Sequence, residues 1–356
     1  MRETARRAFV AAVVIGGVVV VALTLWKLKI LIAILFLAFI IAAAMRPGVD
    51  ALRRKRIPRG VGIAIHYLAL FAGVGLLLYF VVPTATDQVR EAIPTSGAEL
   101  QQETETASGV WREFLQGVQQ RLEELPEAGE VAERAFDPAL EITIAAFEIL
   151  VGVFFTLASA AYWIFERDRA IGLVTSLLPR PKRKVVRDTW DLIDAKLGAY
   201  VRGQLLLIVL VATVLSITFW AIGLPFWLLL GIFAGVVEII PVIGPLAAGA
   251  LAVGVGFTES FGVALAAGLA VFIVRMIEDY LVIPRVLGDA VGLTPLTVLV
   301  AVAAVAILFG GFAVLLAIPL AAVCATLLDV LVRHRDPAEE SVPTVLFPAK
   351  DVEGSG

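Results

Sequence analysis

The amino-acid sequence predicts an all-α fold: a polytopic transmembrane helix bundle of seven to eight spans, with a Gly/Pro-broken re-entrant segment and an acidic extracytoplasmic insert. Three observations carry this. The 356 residues are 60% hydrophobic and 17% charged, whereas a soluble domain is about half apolar and a quarter charged. Apolar runs of roughly 18 residues or more, enough to cross a bilayer, recur along the chain. These runs are solidly apolar and lack the alternation that the strands of a membrane β-barrel require. In hydrocarbon the backbone must satisfy its own hydrogen bonds, so such runs become helices.

Residues 1–83 hold spans one to three. Arg2, Arg6 and Arg7 precede the first apolar run, 8–26. It is long for the core of a signal peptide and no A-x-A-like site follows, so a retained span is expected. After Lys27 and Lys29 the second span covers 30–45. The most basic loop comes next, with Arg46, Arg53, Arg54, Lys55, Arg56 and Arg59 among the helix breakers Pro47, Gly48 and Pro58. The third span covers 61–82, and Pro83 closes it.

Residues 84–142 form a polar acidic insert, with thirteen Asp and Glu against four Arg and no Lys. That charge cannot lie in hydrocarbon. Trp111, Phe114, Leu115, Val118, Leu122 and Leu125 fall at three- and four-residue steps, the mark of an amphipathic helix. Pro94, Pro126 and Pro138 punctuate the insert.

Residues 143–332 are the C-terminal transmembrane region. The fourth span covers about 142–165. A polar stretch, 166–204, carries Arg180, Lys182, Arg183, Lys184 and Arg187. Within it Val186, Trp190, Ile193, Leu197 and Val201 make an apolar stripe, with Asp188, Asp191 and Lys196 elsewhere on the wheel. This predicts a cytoplasmic amphipathic helix over 183–201, lying along the membrane face or against another helix. The fifth span covers 205–222. An interrupted segment, 224–257, precedes a long span over 261–283. The last apolar run, 296–332, would be about 55 Å long as one helix, too long for a ~30 Å core. Gly310-Gly311 suggests a hairpin of two short helices, and Pro319 a kink in the second. The polar tail, 333–356, is expected to be disordered.

Lys/Arg-rich loops stay cytoplasmic. This places the N-terminal arginines, the 46–59 loop, the 180–187 stretch and Arg333/Arg335 inside, and the acidic insert outside. Lys27 and Lys29 fall outside, a mild violation that the longer basic loops outweigh. The expectation is a multi-pass protein of the cell (plasma) membrane with both termini cytoplasmic.

Several chemistries are disfavoured. Cys324 is the single cysteine and His66 and His334 lie far apart, so neither an internal disulfide nor a metal site is expected. P-loop, H-E-x-x-H and G-x-S-x-G patterns are missing, which argues against an ATP-driven pump and against an enzyme. No cofactor and no nucleic-acid partner is expected. The bilayer is the first partner; the amphipathic stripes need cover from lipid, from the same chain or from neighbouring copies, and a homo-oligomer is the expectation.

Two places carry candidate function. The first is the break Glu238-Ile-Ile-Pro241-Val-Ile-Gly244-Pro245. Pro241 and Pro245 both lack an N–H, and Gly244 tolerates unusual backbone angles. Broken, Gly/Pro-interrupted spans point to transporter binding sites. Glu238 is costly in a bilayer, by about 2.5–3.5 kcal/mol on insertion scales, unless a cation, a proton or a buried partner compensates. The bland alternative is a carboxylate solvated at the interface. The glycines Gly231 and Gly235 read as helix packing rather than chemistry. The second place is Arg275, Glu278 and Asp279, whose spacing puts them on one helical face. Arg275 can pair with either acid, leaving a surplus negative charge suited to cation or proton coupling, or to a gate. Its bland alternative is an interfacial anchor. Arg202, next to Gly203 and Gln204, reads first as such an anchor.

These motifs give the chain a family resemblance. Phe165-Glu-Arg-Asp168, Leu197-Gly-Ala-Tyr-Val-Arg-Gly203-Gln204, the 238–245 break, Glu278-Asp-Tyr-Leu-Val-Ile-Pro284 and Gly310-Gly311 followed by Ala317-Ile-Pro-Leu320 resemble the autoinducer-2 exporter family, the perM-like permeases, in order and spacing over about 10–332. The resemblance implies seven or eight spans and secondary transport, often export. Some members are associated with autoinducer-2 and others look like sodium/proton antiporters. The family's motif residues carry over to Gln204, Glu238, Pro241, Gly244, Pro245, Glu278 and Pro284. Where the family often has an aromatic residue after the first motif proline, this chain has Val242. The leading expectation is an exporter of a small polar solute such as a signalling molecule. Its alternatives are a monovalent cation (sodium)/proton antiporter and a non-transporting membrane scaffold.

Overall fold

The computed structural model describes residues 2–92, 128–240, 243–283, 293–340 and 342. Among them all regular structure is helical: α1 (Arg2–Lys27), α2 (Lys29–Arg54), α3 (Arg59–Ala92), α4 (Ala128–Ser176), α5 (Arg180–Ala221), α6 (Trp227–Val237), α7 (Ile243–Glu259), α8 (Phe261–Ile277), α9 (Pro295–Phe309) and α10 (Ala317–Leu331). A π-helical turn, Glu278–Val282, continues α8, and a 3-10 turn, Gly311–Leu316, joins α9 to α10. Seven of these helices are long and apolar enough to cross a membrane. The predicted polytopic helical bundle is therefore what the chain forms.

Several helices run past the prolines expected to stop them. α2 continues through Pro47 and α3 through Pro83. One proline removes one helical hydrogen bond, and in membrane helices neighbouring groups compensate. Near Pro83 the hydroxyls of Thr84 and Thr86 donate to the carbonyls of Phe80, at 3.1 Å, and Pro83, at 2.7 Å. α4 likewise starts at Ala128, before Pro138. The amphipathic helix expected around Trp111–Leu125 lies outside the described residues. The stripe over 183–201 is not a separate helix but the first half of the 42-residue α5. At 1.5 Å per residue α5 is about 63 Å long, roughly twice a ~30 Å hydrocarbon core. Its apolar second half suffices to cross, which leaves the charged first half at and beyond the interface.

The chain divides into two compact units. The first comprises Met1–Ala43, Phe154–Leu197 and Leu293–Glu339. In it Thr294 caps α9, its hydroxyl accepting from the Thr297 N–H at 3.3 Å, with Pro295 at the first helical position. Gly310, at φ 92°, ends α9 and opens the turn into α10, as the Gly-Gly pair suggested. Val302, Val305, Ala313 and Ala317 form the buried core of this hairpin. Pro319, expected to kink α10, stands near its start, directly after the 3-10 turn. It is the helix's third residue, where a proline is better tolerated than in the interior.

The second unit comprises Ala44–Val153, Gly198–Gly292 and Glu340–Gly356. α5 ends in a Schellman motif: Gly223, at φ 72°, donates to the Trp220 carbonyl and Leu224 donates to that of Phe219. α6 then lies directly on α5. A Cβ added to Gly235 would sit 2.6 Å from the Ile208 carbonyl oxygen, and one on Gly231 2.6 Å from the Ser216 nitrogen. These two glycines do serve close packing. α7 and α8 are antiparallel partners joined at Ser260, whose hydroxyl accepts from the Val263 N–H at 3.2 Å. Gly256 presses on the backbone of Ala264 at that corner. Phe219, Leu215, Ala252 and Ala267, almost wholly buried, anchor the shared core of α5 to α8.

Candidate functional site

The second unit gathers the sequence's candidate residues around one guanidinium. Arg275, in the last turn of α8, donates from Nη1 to Glu238 Oε1 at 2.6 Å and lies 3.4 Å from Glu278 Oε2. Its other edge grips Asp279 bidentately, Nε to Oδ2 at 3.0 Å and Nη2 to Oδ1 at 2.8 Å. Glu238 is 8% exposed and Glu278 2%. One positive charge thus faces three carboxylates, two of them buried. The bland reading of Glu238, a carboxylate solvated at the interface, does not hold.

The backbone explains the convergence. Arg275, Glu278 and Asp279 share a face by the three- and four-residue spacing read from sequence. Glu278 and Asp279 open the π-turn that continues α8, in which the Ile283 N–H donates to the Glu278 carbonyl five residues back. Such turns often mark functional positions. Glu238 arrives from the other side, at the C-terminal end of α6. There the helix stops: the Ile240 N–H donates to the Val237 carbonyl and the Gly244 N–H to that of Ile240. Gly244 packs so tightly on the Val237 carbonyl that a side chain would collide with it. Gln204 donates from Nε2 to the backbone carbonyl of Glu238 at 3.3 Å, tying α5 to the same turn. Pro241 lies outside the described residues.

Beside the carboxylates is a cavity of about 10 Å³, walled by Val211, Leu215, Ala234, Pro245 and Ala248 and edged by Glu238, Arg275 and Glu278. That volume admits the centre of about one water-sized guest. Glu278 Oε1 is buried and has no hydrogen-bond partner among the described residues. Among them, too, no cluster of three or more metal-ligating side chains occurs.

Sequence reasoning joined Arg275 to its helical neighbours but not to Glu238, 37 residues away. It also missed a second arginine cluster, in the first unit. Arg167, 5% exposed, donates from Nε to Asp194 and from Nη2 to Asp191, and lies 3.3 Å from Asp168. Lys196, placed off the apolar stripe, is in fact buried, and its Nζ donates to Thr326 Oγ1 at 3.2 Å. A signal was present: Asp194 lies four residues after Trp190 and three before Leu197, on the stripe itself. A carboxylate on an apolar face needs a partner. Arg202 is only half-buried, and its Nη1 donates to the Ala44 carbonyl at 3.2 Å, beside the turn that Pro47 loosens.

A family model described as AI-2E family transporter matches residues 12–333. The chain is 26% identical over 316 residues to "Putative transport protein YrrI" of Bacillus subtilis, covering 85% of this chain and 86% of that one. It is 27% identical over 329 residues to "Putative transport protein MT0215" of Mycobacterium tuberculosis, covering 90% and 88%. With "Putative transport protein YueF" of Bacillus subtilis the identity is 29% over 319 residues, 83% of each chain.

Proposed function

The chain belongs to the AI-2E transporter family, and from that premise we propose that this membrane transporter is a secondary exporter of a small polar solute such as a signalling molecule. It works in the cell membrane with both termini cytoplasmic. The observation that carries the reading is the pairing of Glu238, at the end of α6, with Arg275, in the last turn of α8. Arg275 bridges two elements that can move apart, and three carboxylates compete for it. Loss of one negative charge, by a proton or a monovalent cation, changes how firmly Arg275 holds Glu238. That couples an ion to the position of the 238–245 break.

The test is solute efflux from proteoliposomes loaded with a mixture of labelled small polar compounds. The expected result is gradient-dependent loss of one class of solute, abolished by Glu278→Gln at unchanged reconstitution. If nothing moves across a broad panel, the scaffold reading replaces this one. A second reading has its own support. The cluster carries one positive group against three acids beside a cavity for about one small guest, which suits a sodium/proton antiporter. A sodium gradient that by itself drives proton movement, and fails to do so in Glu278→Gln, would favour the antiporter. Cysteine labelling near Trp111 checks the orientation; labelling from the cytoplasmic side would overturn it.

A further inference from the structure

The turn between α2 and α3, in the second unit, carries positive charge with no counterpart around it. Residues 51–60 hold Arg53, Arg54, Lys55, Arg56 and Arg59 and no acid. Arg53, Arg54, Lys55 and Arg56 are all exposed. None of these four side chains makes an ion pair or a hydrogen bond among the described residues. Arg46, earlier on α2, differs in pairing with Asp50 at 3.5 Å. Cations at a helix C-terminus suit its dipole, which accounts for Arg53 and Arg54 in the last turn of α2. It does not account for Lys55 and Arg56, which lie past the helix.

The backbone places a cation where the turn itself asks for glycine. α2 ends in a Schellman motif: the Ile57 N–H donates to the Leu52 carbonyl at 3.2 Å and the Arg56 N–H to that of Arg53 at 2.9 Å. The motif needs one residue in the left-handed region, which glycine enters at no steric cost. This chain has Arg56 there, at φ 66°. In the same motif at the end of α5 it has Gly223.

Packing sets the depth of the corner. A Cβ on Gly62 would meet Val49 at 3.4 Å and Leu52 at 3.8 Å, so the end of α2 lies level with the first turn of α3. The imidazole of His66 fills the space over Gly48. On α3 the apolar side chains of Val61, Ile65 and Leu68 are exposed, as the start of a lipid-facing span requires. Level with Val61, the crossing part of α2 reaches to about residue 50, which from residue 30 is about 30 Å, one hydrocarbon core. The four cations stand about one helical turn beyond that edge, at the depth of lipid headgroups.

We propose that this corner binds the phosphates of anionic phospholipids, with Arg53, Arg54, Lys55 and Arg56 as the contacts, and so fixes the depth of the second unit in the bilayer. Basic clusters directly flanking a span recognise anionic lipid in this way. The corner is a surface and not a cleft, so it selects headgroups by charge and not acyl chains by shape. It is independent of the Arg275 cluster, of the transported solute and of which side of the membrane the corner faces.

Native mass spectrometry of the full-length chain tests it, in micelles doped with phosphatidylglycerol or phosphatidylcholine of identical acyl chains. The expected result is retention of phosphatidylglycerol over phosphatidylcholine, weakening as salt rises. Arg53→Gln, Lys55→Gln and Arg56→Gly should each weaken phosphatidylglycerol retention about fivefold, the contribution of one basic group near an anionic surface, and leave phosphatidylcholine unchanged. Arg169→Gln removes an exposed arginine already paired with Glu166 and should change neither. Arg56→Gly separates binding from folding: it relieves the turn, so Tm in neutral detergent should rise while phosphatidylglycerol retention falls. Equal retention of the two lipids, or a loss in Arg169→Gln that matches Lys55→Gln, would overturn the proposal. So would unchanged retention in Arg56→Gly. A chain that prefers a soluble polyglutamate peptide to phosphatidylglycerol, and loses that preference in Lys55→Gln, would overturn it too, since the corner would then dock an acidic protein segment.

Discussion

Arg167 and Arg275 have the same inventory, one guanidinium and three carboxylates, in two separate units. Their surroundings differ. Around Arg167 the side chains of Asp168 and Asp191 are 61% and 36% exposed, and only Asp194 is buried, at 5%. The buried charges there are one of each sign. Around Arg275 both Glu238 and Glu278 are buried, while Asp279 and the arginine itself reach solvent. The buried charges there are two negative ones facing a half-buried arginine, and both buried acids depend on the same Nη1. The backbones differ in parallel: Arg167 and its partners stand on the unbroken α4 and α5, while Glu238 ends a helix and Glu278 opens a π-turn. A balanced cluster on continuous helices is a clamp. On the function proposed above, the surplus buried charge at the break is the one that changes state.

The largest expected effect comes from Arg275→Leu. It strands two buried carboxylates, and removing one partner of a buried pair costs about 3–5 kcal/mol. Thermal unfolding of the detergent-purified chain should drop sharply, and transport should vanish. Adding Glu238→Gln and Glu278→Gln should restore folding but not transport. A stable, transporting Arg275→Leu chain would break the comparison outright.

Arg167→Leu should cost somewhat less, about 3 kcal/mol, because only Asp194 is left buried without its guanidinium. The same melt measures it. Transport per folded molecule should be retained, which is what separates a clamp from a site. Gly235→Leu sharpens the comparison from another side. Overpacking α6 against α5 should cost about 1–3 kcal/mol and, by displacing the helix that ends at Glu238, slow transport more than stability alone accounts for. The smallest effect is expected for Asp168→Asn, under about 1 kcal/mol, because an exposed pair contributes little. A larger loss would show that the Arg167 cluster is less balanced than its exposure indicates.

Much of this was legible in the chain. The apolar runs, the break at 238–245, the Gly310-Gly311 hairpin and the shared face of Arg275, Glu278 and Asp279 all follow from spacing and from the special backbone of proline and glycine. The prolines inside α2 and α3 were misread as stops because a single missing donor is tolerable when neighbours compensate. Asp194 was passed over although it stands on the stripe, and Lys196 was placed off the stripe yet is buried, because a helical wheel shows angle, not what packs against it. α5 was divided in two because its charge changes midway, yet nothing in it breaks the backbone.

Hydropathy is a property of contiguous residues, so the character of the spans and the place where one must break can be read along a line. The partner of a buried charge is a property of distance in space. Glu238 must find a cation somewhere in a medium that will not solvate it, and no periodicity links it to a residue 37 positions away. The packing of α6, α7 and α8 made that choice, and it is the same packing that left the cluster with two acids more than its arginine can balance.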